Sequence, residues 1–284
     1  MAASIVLFFT LFPLFLTVEQ NSETISVMTF NIRYGRANDG ENSWEYRKNL
    51  VFDVIRDSEC DFIGMQEAMV FQIEEILDAC TGFQYIGITR EKDPTEGEAT
   101  PILYDAKKWH LLKGKTLWLS ETPEVPASKS WDTSLPRIFT WAEFEYKSTQ
   151  QKILVFNTHY DHRSANARHE SSKLIVKYIA NMVGDGKAIL LGDFNAGEDQ
   201  PPIQYLVQND VLSLNDVYRN IHNEPSESDM TFYGWEAHTP GTGKRLDYIF
   251  YTGPLHTVRS EVVQYNIDGR YPSDHMPVLA EFGY

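Results

Sequence analysis

The chain has 284 residues, 42% of them hydrophobic and 13% aromatic, enough to bury the core of one large domain or two small ones. Its 40 acids against 25 lysines and arginines leave a formal net charge of −15, which argues against a broad basic face for nucleic acid while leaving room for a local groove. With only two cysteines, Cys60 and Cys80, there is no disulfide framework and no CxxC metal pair; both thiols are expected to be buried and reduced.

In chain order, residues 5–18 (IVLFFTLFPLFLTV) form an apolar run too short, and too interrupted by Pro13, for a membrane span. A secretory signal peptide over residues 1–24 is the reading preferred, giving a secreted or periplasmic protein. No Lys or Arg precedes the run and no small-x-small cleavage site follows it, so a membrane anchor is the competing reading. That segment holds two acids (Glu19, Glu23) and no base, so the remainder carries −13.

From residue 25 to 284 there is no repeat, low-complexity tract or long linker, and a single domain is expected. Strand-type runs occur at ISVMTFNI (25–32), DFIGMQ (61–66), QYIGI (84–88), TPILY (100–104) and WHLLKGKTLWL (109–119). Further runs follow at RIFTWAEFEY, KILVFNTH, KAILLG, RLDYIFY, TVRSEVVQY and PVLAEF. Helical spacing marks Leu50, Val51, Val54 and Ile55, then Val70, Ile73, Ile76, Leu77 and Cys80. It is clearest at Leu174, Ile175, Tyr178, Ile179, Met182 and Val183. Pro201 and Pro202 suit the first turn of another helix. EKDPTEGEA (91–99) reads as a flexible acidic loop with solvated charges. Roughly eleven strands and three or four helices, without regular βαβ alternation, predict an α/β fold of two sheets packed face to face with helices outside.

Polar residues recur where these apolar runs stop. MTFNI ends at Asn31, FIGMQE at Glu67, LVFNTH at Asn157 and His159, and ILLGDFN at Asp193 and Asn195; Asp247 opens RLDYIF, and Asp274 and His275 precede the last strand. One such residue is ordinarily a turn former. Six sites of Asn, Asp, Glu and His at strand ends are expected to converge in one cleft. Clustered carboxylates stay ionised together only with a cation among them. The oxygen donors Glu67, Asn31, Asp193, Asn195 and Asp274 suit Mg²⁺, with Mn²⁺ as the alternative. Zinc fits poorly, because His159, His162 and His275 lack helical ligand spacing. An Asp247–His275 pair would fix the imidazole and favour its cation beside a phosphate. Arg137, in LPRIF, is a candidate phosphate clamp. His162 is a candidate cleft residue, and Trp235, with Trp131, a candidate substrate contact among aromatics otherwise assigned to the core.

Taken in order, TFNIR, MQE, FNTHYDH, GDFN, RLDYIF and SDHMPV resemble the endonuclease/exonuclease/phosphatase superfamily over nearly the whole chain from about residue 25. The run LWLSETPEVPASKSWDTSLPRIFTWAEF resembles a small, mostly bacterial group related to its deadenylase branch. The resemblance implies a DNase-like four-layered α/β sandwich, two packed mixed β-sheets flanked by helices. It further implies a Mg²⁺-dependent phosphoric ester hydrolase, acting by metal- and histidine-assisted in-line attack of water. Glu67 would be the principal metal carboxylate, with Asn31 beside it and Asp274 on the metal side. Asp193 would align the attacking water, Asn195 the phosphate, and Asp247 would support His275, with His159 as the second histidine. Arg33 stands where abasic-site endonucleases carry an aspartate, which argues against abasic-site cleavage. Nucleic acid, nucleotide, phospholipid head group and sugar or inositol phosphate are all admissible substrates. No obligate protein partner is evident and a monomer is expected. The alternatives are a sphingomyelinase-like head-group hydrolase and a catalytically silent binding module.

Overall fold

Side chains alternate across a strand, so each strand here feeds two different cores. The structure, a computed structural model, describes residues 24–235 and 241–283. The apolar N-terminal segment lies outside these residues, and no helix among them is long and apolar enough to cross a membrane.

The chain runs β1 (Thr24–Asn31), α1 (Trp44–Asp57), β2 (Phe62–Gln66), α2 (Val70–Ala79), β3 (Phe83–Ile86), β4 (Ile102–Asp105), β5 (Trp109–Trp118) and β6 (Ile138–Tyr146). It continues through β7 (Lys152–His159), α3 (Ala165–Val183), β8 (Ala188–Asp193), α4 (Pro201–Val207), β9 (Asn215–Asp216) and α5 (Val217–Ile221). The last strands are β10 (Asp247–Thr252), β11 (His256–Val262) and β12 (Val278–Gly283). Two six-stranded sheets result, ordered β11-β12-β1-β2-β4-β3 and β5-β6-β7-β8-β10-β9. Pairs β1–β2 and β7–β8 are parallel and the others antiparallel, so both sheets are mixed. The expected sandwich is what forms. The count of helices was short: α5 and the two-residue β9 carry too few residues to show a period.

Residue parity explains the layers. Ile25 and Val27 of β1, Ile153 and Val155 of β7, Ile189 and Leu191 of β8, and Ile249 of β10 fill the core between the sheets. Their even-numbered neighbours Met28 and Phe30 pack outward under α1 and α2, while Phe156, Leu190 and Phe250 pack outward under α3 and α4. The apolar stripe predicted on α3 meets this second outer core, through Ile175 and Ile179. Ser164 caps α3 by accepting from Ala167 N, and Pro201 and Pro202 open α4 as expected.

Continuing the inward parity to each strand end reaches Asn31, Asn157, His159, Asp193 and Asp247. The seam between the sheets is therefore apolar along most of its length and polar at one end. There Asn157 acts as a strut and not as part of a cleft. Its amide donates to Met65 O and Pro101 O, both at 2.8 Å, and its Oδ1 accepts from Gln66 Nε2 at 2.7 Å. Gly64 leaves room for it: a Cβ there would lie 2.7 Å from Asn157 Oδ1.

Candidate active site

Strand register delivers the central residues. In β7–β8 His159 pairs with Asp193, and in β8–β10 Asp193 pairs with Asp247, so three strands present His159, Asp193 and Asp247 in a row. Asn31 ends β1 on the facing sheet, and Glu67 follows β2, its parallel neighbour. The loop before β12 brings Asp274 and His275. Arg47, buried on α1, ties this loop down by donating from Nη1 to Ile32 O at 2.7 Å and to Pro272 O at 2.8 Å. Ser273 adds a hydrogen bond to Asn31 O at 2.7 Å.

Asn31 joins these parts. Its amide nitrogen donates to Asp193 Oδ2 at 3.0 Å and Glu67 Oε1 at 3.2 Å, and lies 3.5 Å from His275 Nε2. Its Oδ1 accepts from Arg33 N at 3.0 Å. The amide oxygen expected to serve as a metal ligand is thus turned onto the backbone, and the nitrogen faces the carboxylates. Three residues in this region hold positive φ without being glycine, Arg33 (62°), Glu67 (58°) and Asn195 (48°). Such backbone is costly and persists only where surrounding contacts impose it.

Around Asp193, His159 Nε2 lies at 3.5 Å and His275 Nε2 at 3.8 Å from Oδ2, while Asn195 N donates to Oδ1 at 2.9 Å. Asn195 Nδ2 donates to Tyr160 O at 3.1 Å. Burial raises the Asp193 carboxyl, the Asp247 charge adds to this, and His275 and the hydrogen bonds oppose it. For His275, burial alone favours the neutral ring. The Asp247 charge and the 2.8 Å Nδ1–Asp247 Oδ2 bond outweigh burial, with Asp193 and Asp274 helping, and its pKa rises. Thr231 Oγ1 donates to the same Asp247 Oδ2 at 2.6 Å. His159 differs: burial, then the charges of Arg137 and Arg90, hold it well below the ordinary histidine range. Both histidines were expected to share one role, yet the site keeps one cationic and one neutral.

Two oxygen sets bear on a metal. Ligand atoms of Asp193, Asp247 and His275 lie within 4.8 Å of one another, but His275 Nδ1 is already engaged by Asp247 Oδ2 at 2.8 Å. Glu67 and Asp274 fit a hard divalent ion better. Burial raises the Asp274 carboxyl and the Glu67 charge raises it further, a repulsion that a cation between them relieves. The charges of His275 and Arg33 oppose this only in part; Arg33 Nη1 is 3.7 Å from Asp274 Oδ2, while its Nε and Nη2 are engaged by Asp39.

These residues line a cavity of 1020 Å³ that also takes in Arg33, Arg90, Glu98, Arg137, His162 and Phe232. Two expectations need correction here. Arg137 is not placed to clamp a phosphate with two nitrogens: Nη2 is bonded to His162 Nδ1 at 2.9 Å, Nε faces Asp161 Oδ2 at 3.8 Å, and Nη1 is enclosed without a hydrogen bond. Trp235 does not line the cavity; its ring packs against the Arg47 guanidinium, 5.7 Å from its centroid. Trp131 is likewise absent from the lining. The acidic loop was misjudged at one residue. Glu98 is largely buried, holds Arg90 through two bonds of 2.7 and 2.9 Å, and lies 3.9 Å from His159 Nδ1. An Arg eight residues before a Glu, flanking a turn of Asp, Pro, Thr and Gly, was the available signal. Phe232, assigned to the core, packs against His275 with ring centroids 4.7 Å apart.

Comparison with known proteins agrees with this geometry. The Endonuclease/Exonuclease/phosphatase family profile matches residues 28–275. The crystal structure of an endonuclease/exonuclease/phosphatase from Bacteroides vulgatus is 30% identical, covers 92% of this chain and 98% of its own, and superposes with a TM-score of 0.84. A mannosyl-6-phosphatase of Bacteroides thetaiotaomicron is also 30% identical, over 92% of this chain and 100% of its own, with a TM-score of 0.82. Nocturnin of Drosophila melanogaster is 22% identical over 84% of this chain, which spans only 42% of Nocturnin's length. The chain belongs to the Endonuclease/Exonuclease/phosphatase family, whose members are phosphoesterases.

Proposed function

We propose that this protein is a Mg²⁺-dependent hydrolase of small phosphoric esters, with Mn²⁺ able to substitute. The observation that carries the reading is the Asn31 amide nitrogen, held within 3.5 Å of Glu67, Asp193 and His275 at once. Four residues from separate parts of the chain meet there, with a neutral histidine, His159, beside them.

Glu67 with Asp274 would hold the divalent ion, which when bound supplies Lewis-acid polarisation of a phosphoryl oxygen. Asp193 orients the attacking water and accepts its proton, a task suited to a carboxyl whose affinity for protons burial has raised. Asn31 holds Asp193 and Glu67 in register and keeps their charges apart. His275, kept cationic by Asp247, offers a charged N–H to the phosphate as negative charge develops in the transition state. His159, neutral, contributes a hydrogen bond without a charge, backed by Glu98. Asn195 fixes Asp193 through its backbone N–H and faces the cavity beside the phosphate position.

The small-substrate reading is supported by the acidic balance of the chain. It is supported too by the full-length similarity to a mannosyl-6-phosphatase. The test is hydrolysis by residues 25–284 of mannose 6-phosphate, p-nitrophenyl phosphate, bis(p-nitrophenyl) phosphate and an oligoribonucleotide, read as phosphate from the monoesters, p-nitrophenol from the diester and shortened strands from the oligoribonucleotide, with Mg²⁺, Mn²⁺ or EDTA. Hydrolysis of the monoesters, abolished by EDTA, is expected. Cleavage of the oligoribonucleotide alone would overturn the small-ester reading in favour of a nuclease. His159→Ala and His275→Ala are each expected to lose activity by a factor of about 10² while remaining folded.

A further inference from the structure

Arg137 and His162 take no part in the chemistry above, yet their contact has a definite sense. A guanidinium carries donors only, so Arg137 Nη2 donates and His162 Nδ1 accepts across the 2.9 Å between them. A ring nitrogen that accepts holds no proton, so the one proton of a neutral ring sits on Nε2. Burial, then the Arg137 charge, lowers the pKa of His162, in keeping with a neutral ring. Among the described residues Nε2 has no protein partner, and the ring lines the cavity.

The loop that carries the ring is also held. Asp161, directly before it, takes hydrogen bonds from Thr133 Oγ1, Ser134 N and Ser134 Oγ on one oxygen, and from Arg163 N and Ser164 N on the other, at 2.6 to 3.0 Å. Arg168 closes the turn by donating to Asp161 O at 3.0 Å. His162 is itself exposed, but one of its nitrogens is engaged by a buried arginine and the loop that carries it is clamped on both sides. Arg137 is 4% exposed, with Nε facing Asp161 Oδ2 at 3.8 Å and Nη1 enclosed, so the Nη2 donor that holds the imidazole is itself fixed in place and polarises the outward N–H.

We propose that His162 is a specificity-determining hydrogen-bond donor, fixed by Arg137 as the neutral Nε2–H tautomer, which takes a hydroxyl or ether oxygen of the substrate's alcohol portion. Arg137 is its positioning residue. The proposal rests on the phosphoester hydrolase reading and adds what that reading lacks, recognition of the group carrying the phosphate. A neutral, oriented donor selects a neutral oxygen, while His275 and the bound cation deal with the phosphate charge. The alcohol it favours is therefore a polyol or sugar and not a bare aromatic ring.

Two measurements test it. Long-range proton–nitrogen NMR of the imidazoles at pH 7.5 should show His162 as the single Nε2–H tautomer, and Arg137→Gln should convert it to a mixture. Independently, the ratio of kcat/KM for mannose 6-phosphate to that for p-nitrophenyl phosphate should fall about tenfold in His162→Ala. It should recover to within about threefold in His162→Gln, whose amide N–H reaches the Nε2 position, and not in His162→Asn. The loss should appear mainly in KM. A wild-type His162 that is protonated or Nδ1–H, an unchanged ratio in His162→Ala, or rescue by Asn in place of Gln would overturn the proposal while leaving the hydrolase reading intact. A wild-type protein that hydrolyses neither ester would overturn both. Because Arg137→Gln removes a buried group and can unfold the chain, the three His162 variants decide the matter without it.

Discussion

A neutral amide between two carboxylates is an economical way to hold like charges close without cancelling either. Asn31→Ala leaves Glu67 and Asp193 without that donor. It is expected to lower kcat by a factor of about 10², with an unchanged circular dichroism spectrum at 25 °C. Asn31 was legible in the sequence as a polar residue ending an apolar strand, but which of its amide atoms faces the centre was not, because that depends on the backbone N–H of Arg33, a residue with a φ of 62°. Glu98 was illegible for a related reason: its neighbours in the acidic run are exposed, and only its partner Arg90 marks it as buried. The cysteines follow the expectation. Both thiols are free and buried, and burial pushes each up to about 11. Iodoacetamide at pH 8 is therefore expected to label them about 10²-fold more slowly in the folded protein than in urea. Equal rates in the two states would show that these side chains are open to solvent.

Between elements, the structure depends on polar contacts that hydropathy does not reveal. Asn157 links β7 to Met65 and Pro101 of the facing sheet, and Gln66 completes the link. Asn157→Leu removes three buried hydrogen bonds, although Pro101 O keeps Met65 N and Gln66 Nε2 keeps Thr29 Oγ1 and Gly64 O, with an expected loss of about 2 kcal/mol in urea unfolding. Gly64→Ala, which drives a methyl into the same amide, should be destabilising as well. Asp161 does the corresponding work for the loop between β7 and α3. Burial would raise its carboxyl, but hydrogen bonds from Ser134, Ser164, Arg163 and Thr133 hold it below the ordinary aspartate value. A depressed carboxyl stabilises the fold fully above its unfolded pKa and loses that contribution as pH falls toward its folded one. The stability gap between wild type and Asp161→Asn, about 2 kcal/mol at pH 7, should stay level down to about pH 5 and shrink below about pH 4. A gap independent of pH down to 2 would mean that the charge of Asp161 is not what orders the loop. Strands such as Lys152–His159 were read to the residue because alternation and a polar stop coincide, whereas β9 and α5 have no pattern long enough to see.

Across the molecule, the same alternation that builds two outer cores and one inner core carries the inward parity to Asn31, His159, Asp193 and Asp247. The fold was legible because that parity is written in the long central strands, β1, β7, β8 and β10. The meeting of the strand ends was legible only as a convergence, since the sequence does not say which sheet faces which. A net charge of −15 points away from long polyanions. Turnover of a small monoester is accordingly expected to fall less than about twofold between 50 and 200 mM KCl, against losses of about 10³-fold or more for proteins that contact many phosphates.

The most direct test of a single hydrolytic centre is phosphate release from p-nitrophenyl phosphate at saturating Mg²⁺ by wild type, Glu67→Gln, Asp193→Asn and His275→Gln. Each variant should retain the wild-type melting temperature within a few degrees and lose at least about 10² in kcat, and the Asp193→Asn/His275→Gln double variant should lose little more than the worse single one. Three variants that turn over at near wild-type rates, or losses that multiply as for independent sites, would contradict the account.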